Sequence, residues 1–439
     1  MNESRSDAHT DLGCEYGTAL DLEKEIYQIP VIDAHEHLKG HEQCQACDGV
    51  VDFLTGTYLS SMLPFADCKL ALKINDTALS DKERWDALQK IWLSVSCTGY
   101  GQIVRRMLCE WRLSSDLRNV SYTDIQSKLS ARSPEMSRKS YAKSGIEHSL
   151  THYLSHPLCG GISNVRSFLE GQLVFDERFH PLLGTLPFHD FCNKEDIESI
   201  ELVSQKSISS LEELVNSIKY IIESCVAKGV VGLKDHAAYT RGLSFGKMDK
   251  NAANHQFQQL YSGETFSNGA NQLSDYLFHK IIQISIELKI PVAIHTGYLV
   301  GSADPKSNVK HFVPIIEAYP DATFDLFHLN YPWQEDMISV LKRFPNTFAN
   351  CCWSYIVDIE KTKQFLRSAL GSIPATRILG FGGDYSILPE PVIAHLDIAR
   401  TAISEVLSEA INKSLCSKNN ALEIAKLWLY DNPRRIYNL

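Results

Sequence analysis

No apolar run in this sequence approaches the roughly 18 residues that a membrane-spanning helix needs. The opening MNESRSDAHT is polar and has none of the apolar core of a signal peptide. Membrane attachment is therefore not expected. Positive charge is also short: 43 Lys and Arg stand against 53 Asp and Glu, for a net charge of −10 and a pI near 5.9. That balance argues against nucleic acid or an anionic membrane as the main partner. Internal repeats and low-complexity tracts are missing. The 12 cysteines follow no framework spacing. Reduced thiols in a cytoplasmic protein are the expectation. Cys44 and Cys47, with His41 nearby, lack the second ligand pair of a zinc knuckle and read as loop thiols.

What the sequence does have is alternation. Its 439 residues, 44% of them hydrophobic, suffice for a large core without disulfide support. Short apolar strands are expected at residues 29–35, 145–150, 182–188, 229–234, 290–295, 323–328, 346–351 and 377–384. Helical periodicity fills the intervals, with helices at 211–227, 273–288, 391–411 and 421–430, and a loop with a short helix at 242–268. Residues 50–135 carry helical spacing only, as in Trp85, Leu88, Ile91, Trp92 and Val95, and Ser121 to Asp124 reads as a helix start. Eight strands alternating with helices predict an α/β fold, a (β/α)8 TIM barrel. The expected organisation is an N-terminal arm at 1–27 and a barrel at 28–439, with a helical insertion after strand one at about 50–140 that roofs the barrel mouth.

Polar residues recur at the strand ends: His35 and His37, Lys234, His295, His328 and Asp384. In an extended strand His35 and His37 point the same way, which supplies half of a metal's coordination shell. The C-terminal rim is where barrel enzymes build their sites. Taken singly, a strand-end histidine is a hydrogen-bonded core residue, and Asp384 a turn or cap. Those readings do not account for five strands ending alike.

The residues that carry a family resemblance are Val31-Ile32-Asp33-Ala34-His35-Glu36-His37, Gly232-Leu233-Lys234-Asp235-His236-Ala237-Ala238-Tyr239-Thr240-Arg241, Pro291-Val292-Ala293-Ile294-His295-Thr296-Gly297 and Gly380-Phe381-Gly382-Gly383-Asp384. The set resembles the amidohydrolase superfamily of metal-dependent barrels, and within it the amidohydrolase-related branch. That branch holds uronate isomerases, mononuclear zinc decarboxylases and hydrolases, and the barrel part of fungal proteins fused to a glutamine-synthetase-like domain.

The resemblance implies one divalent metal on His35, His37, His295 and Asp384. This mixed nitrogen and oxygen set suits zinc, with manganese or iron as alternatives. It implies Asp384 and His328 as catalytic groups, Asp384 moving the proton of a metal-activated water and His328 orienting that water or polarising a carbonyl. Lys234 is also placed in the machinery, as a substrate-binding cation; Asp235 beside it is expected to keep it charged. The competing arrangement is two metals bridged by a carboxylated Lys234. His236, Tyr239 and Arg241 are expected to bind an anionic substrate group, Arg241 through its planar fork.

The function expected is a metal-dependent hydrolase acting on a small polar substrate. The alternative is a uronate-isomerase-like isomerase, or a decarboxylase or lyase, on an acidic substrate, and a non-catalytic binding barrel comes last. The partner expected is a small molecule, with no nucleic acid and no membrane, and the protein could form a homo-oligomer.

Overall fold

The computed structural model describes residues 19–41, 49–156, 159–267, 271–300, 304–387 and 389–439. Cys44, Cys47 and most of the expected N-terminal arm lie outside them. The strands are β1 (Val31–Glu36), β2 (Ile146–Leu154), β3 (Phe179–Gly184), β4 (Gly232–Asp235), β5 (Val292–His295), β6 (Phe324–Phe327), β7 (Thr347–Asn350) and β8 (Ile378–Leu379). They form one sheet in sequential order, and every neighbouring pair from β1 to β8 is parallel. The circle is completed between β1 and the segment after β8. Ala34 N donates to Phe381 O at 3.0 Å, Asp384 N to His35 O at 2.8 Å and His37 N to Tyr385 O at 3.0 Å. The fold is the expected TIM barrel.

Between β1 and β2 the described chain is helical, with helices at Val50–Thr55, Leu63–Ala66, Cys68–Asn75, Asp81–Val95, Gly99–Glu110, Tyr122–Ser130 and Pro134–Ser144. Local chemistry fixes their starts. Ser80 and Glu83 cap one another's backbone before Asp81, and Ser121 accepts from Asp124 N. The buried residues of this insertion, among them Leu88, Trp92 and Ile103, are continuous with barrel residues such as Ile146 and Leu183 in one core cluster. A second, smaller cluster joins Ala34, Leu150, Leu182, Phe348, Leu379, Ile436 and Tyr437. Residues of five strands meet there, so it is the barrel's interior filling, and the helix Asn432–Tyr437 inserts its end into it.

Several bounds differ from the sequence reading. The strand expected at 182–188 runs from Phe179 to Gly184, and the residues Leu186–Phe188 form a tight turn around Pro187, which has no N–H to give a ladder. The strand expected at 377–384 is reduced to two residues. There Gly380 N bonds Trp428 O at 2.7 Å instead of a neighbouring strand. β2 continues to Leu154, four residues beyond the expected end. Residues 250–261 form a full helix, begun by Asp249 accepting from Asn251 and Ala252 N. The expected helix at 421–430 is Lys418–Lys426 followed by a wider turn at Leu427–Asp431.

Candidate active site

Asp384 follows β8 in a left-handed backbone, φ +68°, and its N–H is held by the His35 carbonyl. The segment is pinned from beneath by two buried carboxylates of β1. Asp33 Oδ1 accepts from Gly383 N at 3.0 Å, and Glu36 Oε2 from Tyr385 N at 2.6 Å. Gly383 permits this approach: a Cβ there would lie 1.9 Å from Glu36 Oε1. Burial pushes Asp33 up to about 6 and Glu36 well above its ordinary value. The motif around the two histidines therefore supplies the scaffold for Asp384 as well as the rings.

Both β1 rings reach the same carboxylate oxygen. Asp384 Oδ1 is 3.2 Å from His35 Nε2 and 2.9 Å from His37 Nε2. The proton positions follow from the partners. His37 Nδ1 lies 3.1 Å from the His152 carbonyl, which only accepts, so Nδ1 donates to it. His295 Nε2 donates to Tyr298 O at 3.0 Å, and His328 Nδ1 to Cys352 O at 3.0 Å. Their other nitrogens, His295 Nδ1 and His328 Nε2, are 3.0 Å apart, lone pair against lone pair.

Burial opposes the protonated alternative, pushing His328 to about 4 and His295 well below its ordinary value. A histidine that gives one N–H to a carbonyl and turns its other nitrogen into a site is the usual pattern of metal ligation. Bonds of about 2.1 Å set adjacent donors about 3.0–3.4 Å apart, close to the spacing around Asp384. The residues present fit a divalent metal.

The rim does not assemble quite as expected. Among the described residues, the donor groups within 4.8 Å of one another are His35 with His37 and His152, and His328 with Cys352 and Asp384. His295 belongs to neither group, and its two nitrogens face Tyr298 O and His328 Nε2. Of the expected set, His35, His37 and Asp384 converge directly, and His295 adjoins them through His328.

Lys234 is 2% exposed, its Nζ has no protein partner, and it lies 4.1 Å from the centre of the Phe327 ring. Burial lowers it to about 8. Asp384, ahead of Asp235, is the acid that most favours its charged form. The strand's alternation turns Asp235 to the other face, where Oδ2 takes His189 Nε2 at 2.7 Å and Thr185 Oγ1 at 2.8 Å, and Oδ1 takes Ala237 N at 2.9 Å.

Arg241 is engaged within the protein. Its fork binds Asp275 Oδ1 at 2.6 Å, Ser274 Oγ at 2.6 Å and Ser244 O at 3.1 Å, so it anchors the loop after β4 and is not turned to a substrate anion. Tyr239 stands over the His295 ring at 4.7 Å, 46% exposed at the rim. Both nitrogens of His236 are buried without a protein partner.

Sequence reasoning missed His152, His156 and Cys352. His152 lies two residues after Leu150, on the same face, and came into view only with the true length of β2. The signal was present as His148, Leu150 and His152 at period two. The insertion adds Tyr58, whose hydroxyl donates to the Asp384 carbonyl, and whose ring lies 5.3 Å from that of Trp353.

A separate cavity of about 570 Å³ lies between the helices Gly99–Glu110, Pro134–Ser144 and Glu390–Asn412. Its Arg106 and Arg132 are paired with Asp397 and Glu390, and among the described residues no donor set comparable to the rim occurs there.

Comparison with known proteins agrees with this geometry. Residues 219–439 match the family model described as amidohydrolase. Protein fluG of Emericella nidulans is 24% identical over 246 residues, which are 52% of this chain and 28% of that protein. The chain thus spans well under half the length of this curated relative. Uronate isomerase of Thermotoga maritima superposes with a TM-score of 0.77 at 16% identity, over 98% of this chain and 100% of that one. Glucuronate isomerase of Caulobacter crescentus gives 0.75 at 15%, over 96% and 93%. These likenesses concern the fold. The family match takes in half of the chain, including Lys234, His295, His328 and Asp384, and on that ground this protein belongs to the amidohydrolase family.

Proposed function

We propose that the protein is a metal-dependent hydrolase acting on a small polar, anionic substrate. The observation that carries this is the convergence of His35 Nε2 and His37 Nε2 on Asp384 Oδ1, with the ring of His37 oriented by the His152 carbonyl on Nδ1. His35, His37 and Asp384 would hold one ion, zinc by the chemistry of the donors, with manganese or iron as substitutes. His295 Nδ1 supplies the next nitrogen. When bound, the ion acts as a Lewis acid and lowers the pKa of a coordinated water to about 7.

The chain's own groups do the rest. Asp384 accepts the proton of the attacking water and returns it to the leaving group. His35 and His37 hold this carboxylate well below the usual range even though burial alone would raise it. His328, fixed by its bond to Cys352 O, presents the lone pair of Nε2 and orients the attacking water by accepting from it. Lys234 and His236 face the substrate's charge, and Tyr239 offers a hydroxyl at the rim. The insertion, through Tyr58, keeps bulk water from the Asp384 loop.

The second reading is a uronate-isomerase-like reaction, or a decarboxylase or lyase step, on an acidic substrate. It is favoured by full-length superposition on two sugar-acid isomerases. The test is metal analysis of purified protein beside a turnover survey of lactones, amides, uronates and aromatic carboxylic acids. About one equivalent of metal is expected, lost in His35→Ala and in Asp384→Asn. His295→Ala should lose metal and His328→Asn should keep it while losing kcat. Hydrolysis of an amide or lactone selects the first reading, and turnover of a uronate without net hydrolysis selects the second. Full activity of metal-free protein would remove both.

A further inference from the structure

We infer that His152, His156 and His236, together with Lys234, form an oxyanion subsite on the β2–β4 side of the metal centre, which takes a carboxylate or phosphate group of the substrate. This rests on the preceding reading only in treating the adjoining rim as the reaction centre.

The placement comes from two strands that each project histidine past the barrel's end. β2 brings His152 and the residue four further on, His156. β4 brings Lys234 and, two residues on and facing the same way, His236. Ring centres lie 4.8 Å apart for His152 and His156, 5.2 Å for His152 and His236, and 5.8 Å for His156 and His236. His37 joins this group to the metal side, 4.7 Å from His156.

The chemistry asks for an acceptor. An ammonium has three N–H donors and nothing to accept with. Lys234 is 2% exposed and His152 1%, and neither Lys234 Nζ nor His152 Nε2 has a protein partner. Neither nitrogen of the neighbouring His236 has one. A buried donor left unsatisfied costs about 1–3 kcal/mol, and more if charged. The nearest acid in sequence, Asp235, is spent on His189, Thr185 and a backbone N–H on the far face. A bound oxyanion supplies what Lys234, His152 and His236 lack. His152, His156 and His236 do not together form one of the described groups whose donor atoms fall within 4.8 Å of one another, although His152 does so with His35 and His37. The subsite also takes over the anchoring first assigned to Arg241, which is committed to Asp275.

The test is calorimetric titration of the full-length, metal-loaded protein with inorganic phosphate and, separately, with succinate. Saturable binding of at least one probe is expected, and the tighter of the two tells phosphate from carboxylate. His236→Asn and His156→Asn should each weaken it at least tenfold with unchanged metal content and melting temperature. Lys234→Met should abolish it and Lys234→Arg restore part of it, a pattern that a purely structural lysine would not give. Binding of neither probe by the wild type overturns the proposal, as does equal binding by wild type and both histidine variants. So does binding that disappears on chelation but ignores the His236 and Lys234 changes, because the anion then sits on the metal. Protein that holds no metal yet shows the histidine dependence would remove the hydrolase reading and leave the subsite. One equivalent of metal with variant-independent binding would do the reverse.

Discussion

Non-glycine residues with left-handed backbones gather at the barrel mouth, among them Tyr58, His328, Trp353 and Asp384, with φ of 69°, 65°, 63° and 68°. Each such residue costs about 1–3 kcal/mol and persists where its surroundings over-determine it. Here the restraints are visible, with Asp384 N on His35 O, Trp353 N on Gly382 O at 3.0 Å, and His328 Nδ1 on Cys352 O. Two predictions belong at this scale. Arg241→Met leaves the mostly buried Asp275 without its cation, and should lower stability by about 3 kcal/mol. A denaturant melt checks it, and adding Asp275→Asn should recover part of the loss. The second concerns Asp325 inside the barrel. Burial raises it to about 7, against the hydrogen bonds from Tyr437 and Asn350 that lower it. The folded protein therefore keeps this proton up to about pH 7, whereas the unfolded chain gives it up near pH 4. The resulting contribution falls as pH rises between those values and is flat above, with a slope of at most about 1.4 kcal/mol per pH unit. Asp325→Asn should remove this decline, so that the melting-temperature difference from wild type is larger at pH 8 than at pH 5. Equal differences at both pH values would refute it.

At the scale of elements, the site is decided by where strands stop and which face they present. β4 turns Lys234 inward and Asp235 outward, and β2 runs far enough to deliver His152. β3 contributes an absence. A Cβ on Gly184 would lie 2.6 Å from His152 Nε2 and 2.7 Å from Ser155 Oγ, so the bare backbone makes room for the ring. Gly184→Ala should displace His152, whose carbonyl fixes the proton on His37 Nδ1. Metal affinity should fall about tenfold or more, as it does when a ligand's supporting partner is lost, and competition with a chelator measures it. Unchanged affinity would mean that the His152 carbonyl does not set the His37 tautomer.

For the whole molecule, the barrel is closed at both ends by parts of the same chain. The helical insertion covers the C-terminal rim through Tyr58, and Ile436 with Tyr437 fills the interior from the other side. Among the described residues, no helix is long and apolar enough to cross a membrane, and the nine cysteines are all free thiols. An ion that binds only the folded rim stabilises the whole barrel by mass action, about 2.7 kcal/mol at a free concentration one hundred times its Kd. Chelation should therefore lower the melting temperature and re-addition restore it. His37→Ala should show no such response in the same scan.

The sequence by itself determined the barrel, because strand and helix periods are local properties, and strands β1 and β4 to β8 were legible from apolar runs with polar ends. The buried helix Leu211–Ala227 was legible to the residue, since its apolar stripe repeats without interruption. It also singled out His35, His37 and Asp384, which the fold brings together, as each stands where an apolar run ends. Tertiary structure decided the rest. Whether His295 or His328 stands nearer Asp384 depends on which carbonyls claim their second nitrogens, and those come from Tyr298 and Cys352 in other loops. Arg241 looked like a substrate anchor until Asp275, 34 residues on, arrived to pair with it. The histidines of β2 gained their meaning only from β4, across a glycine in β3. Contacts between strands are set by register and by the closing of the barrel, and neither is written in the order of residues along one strand.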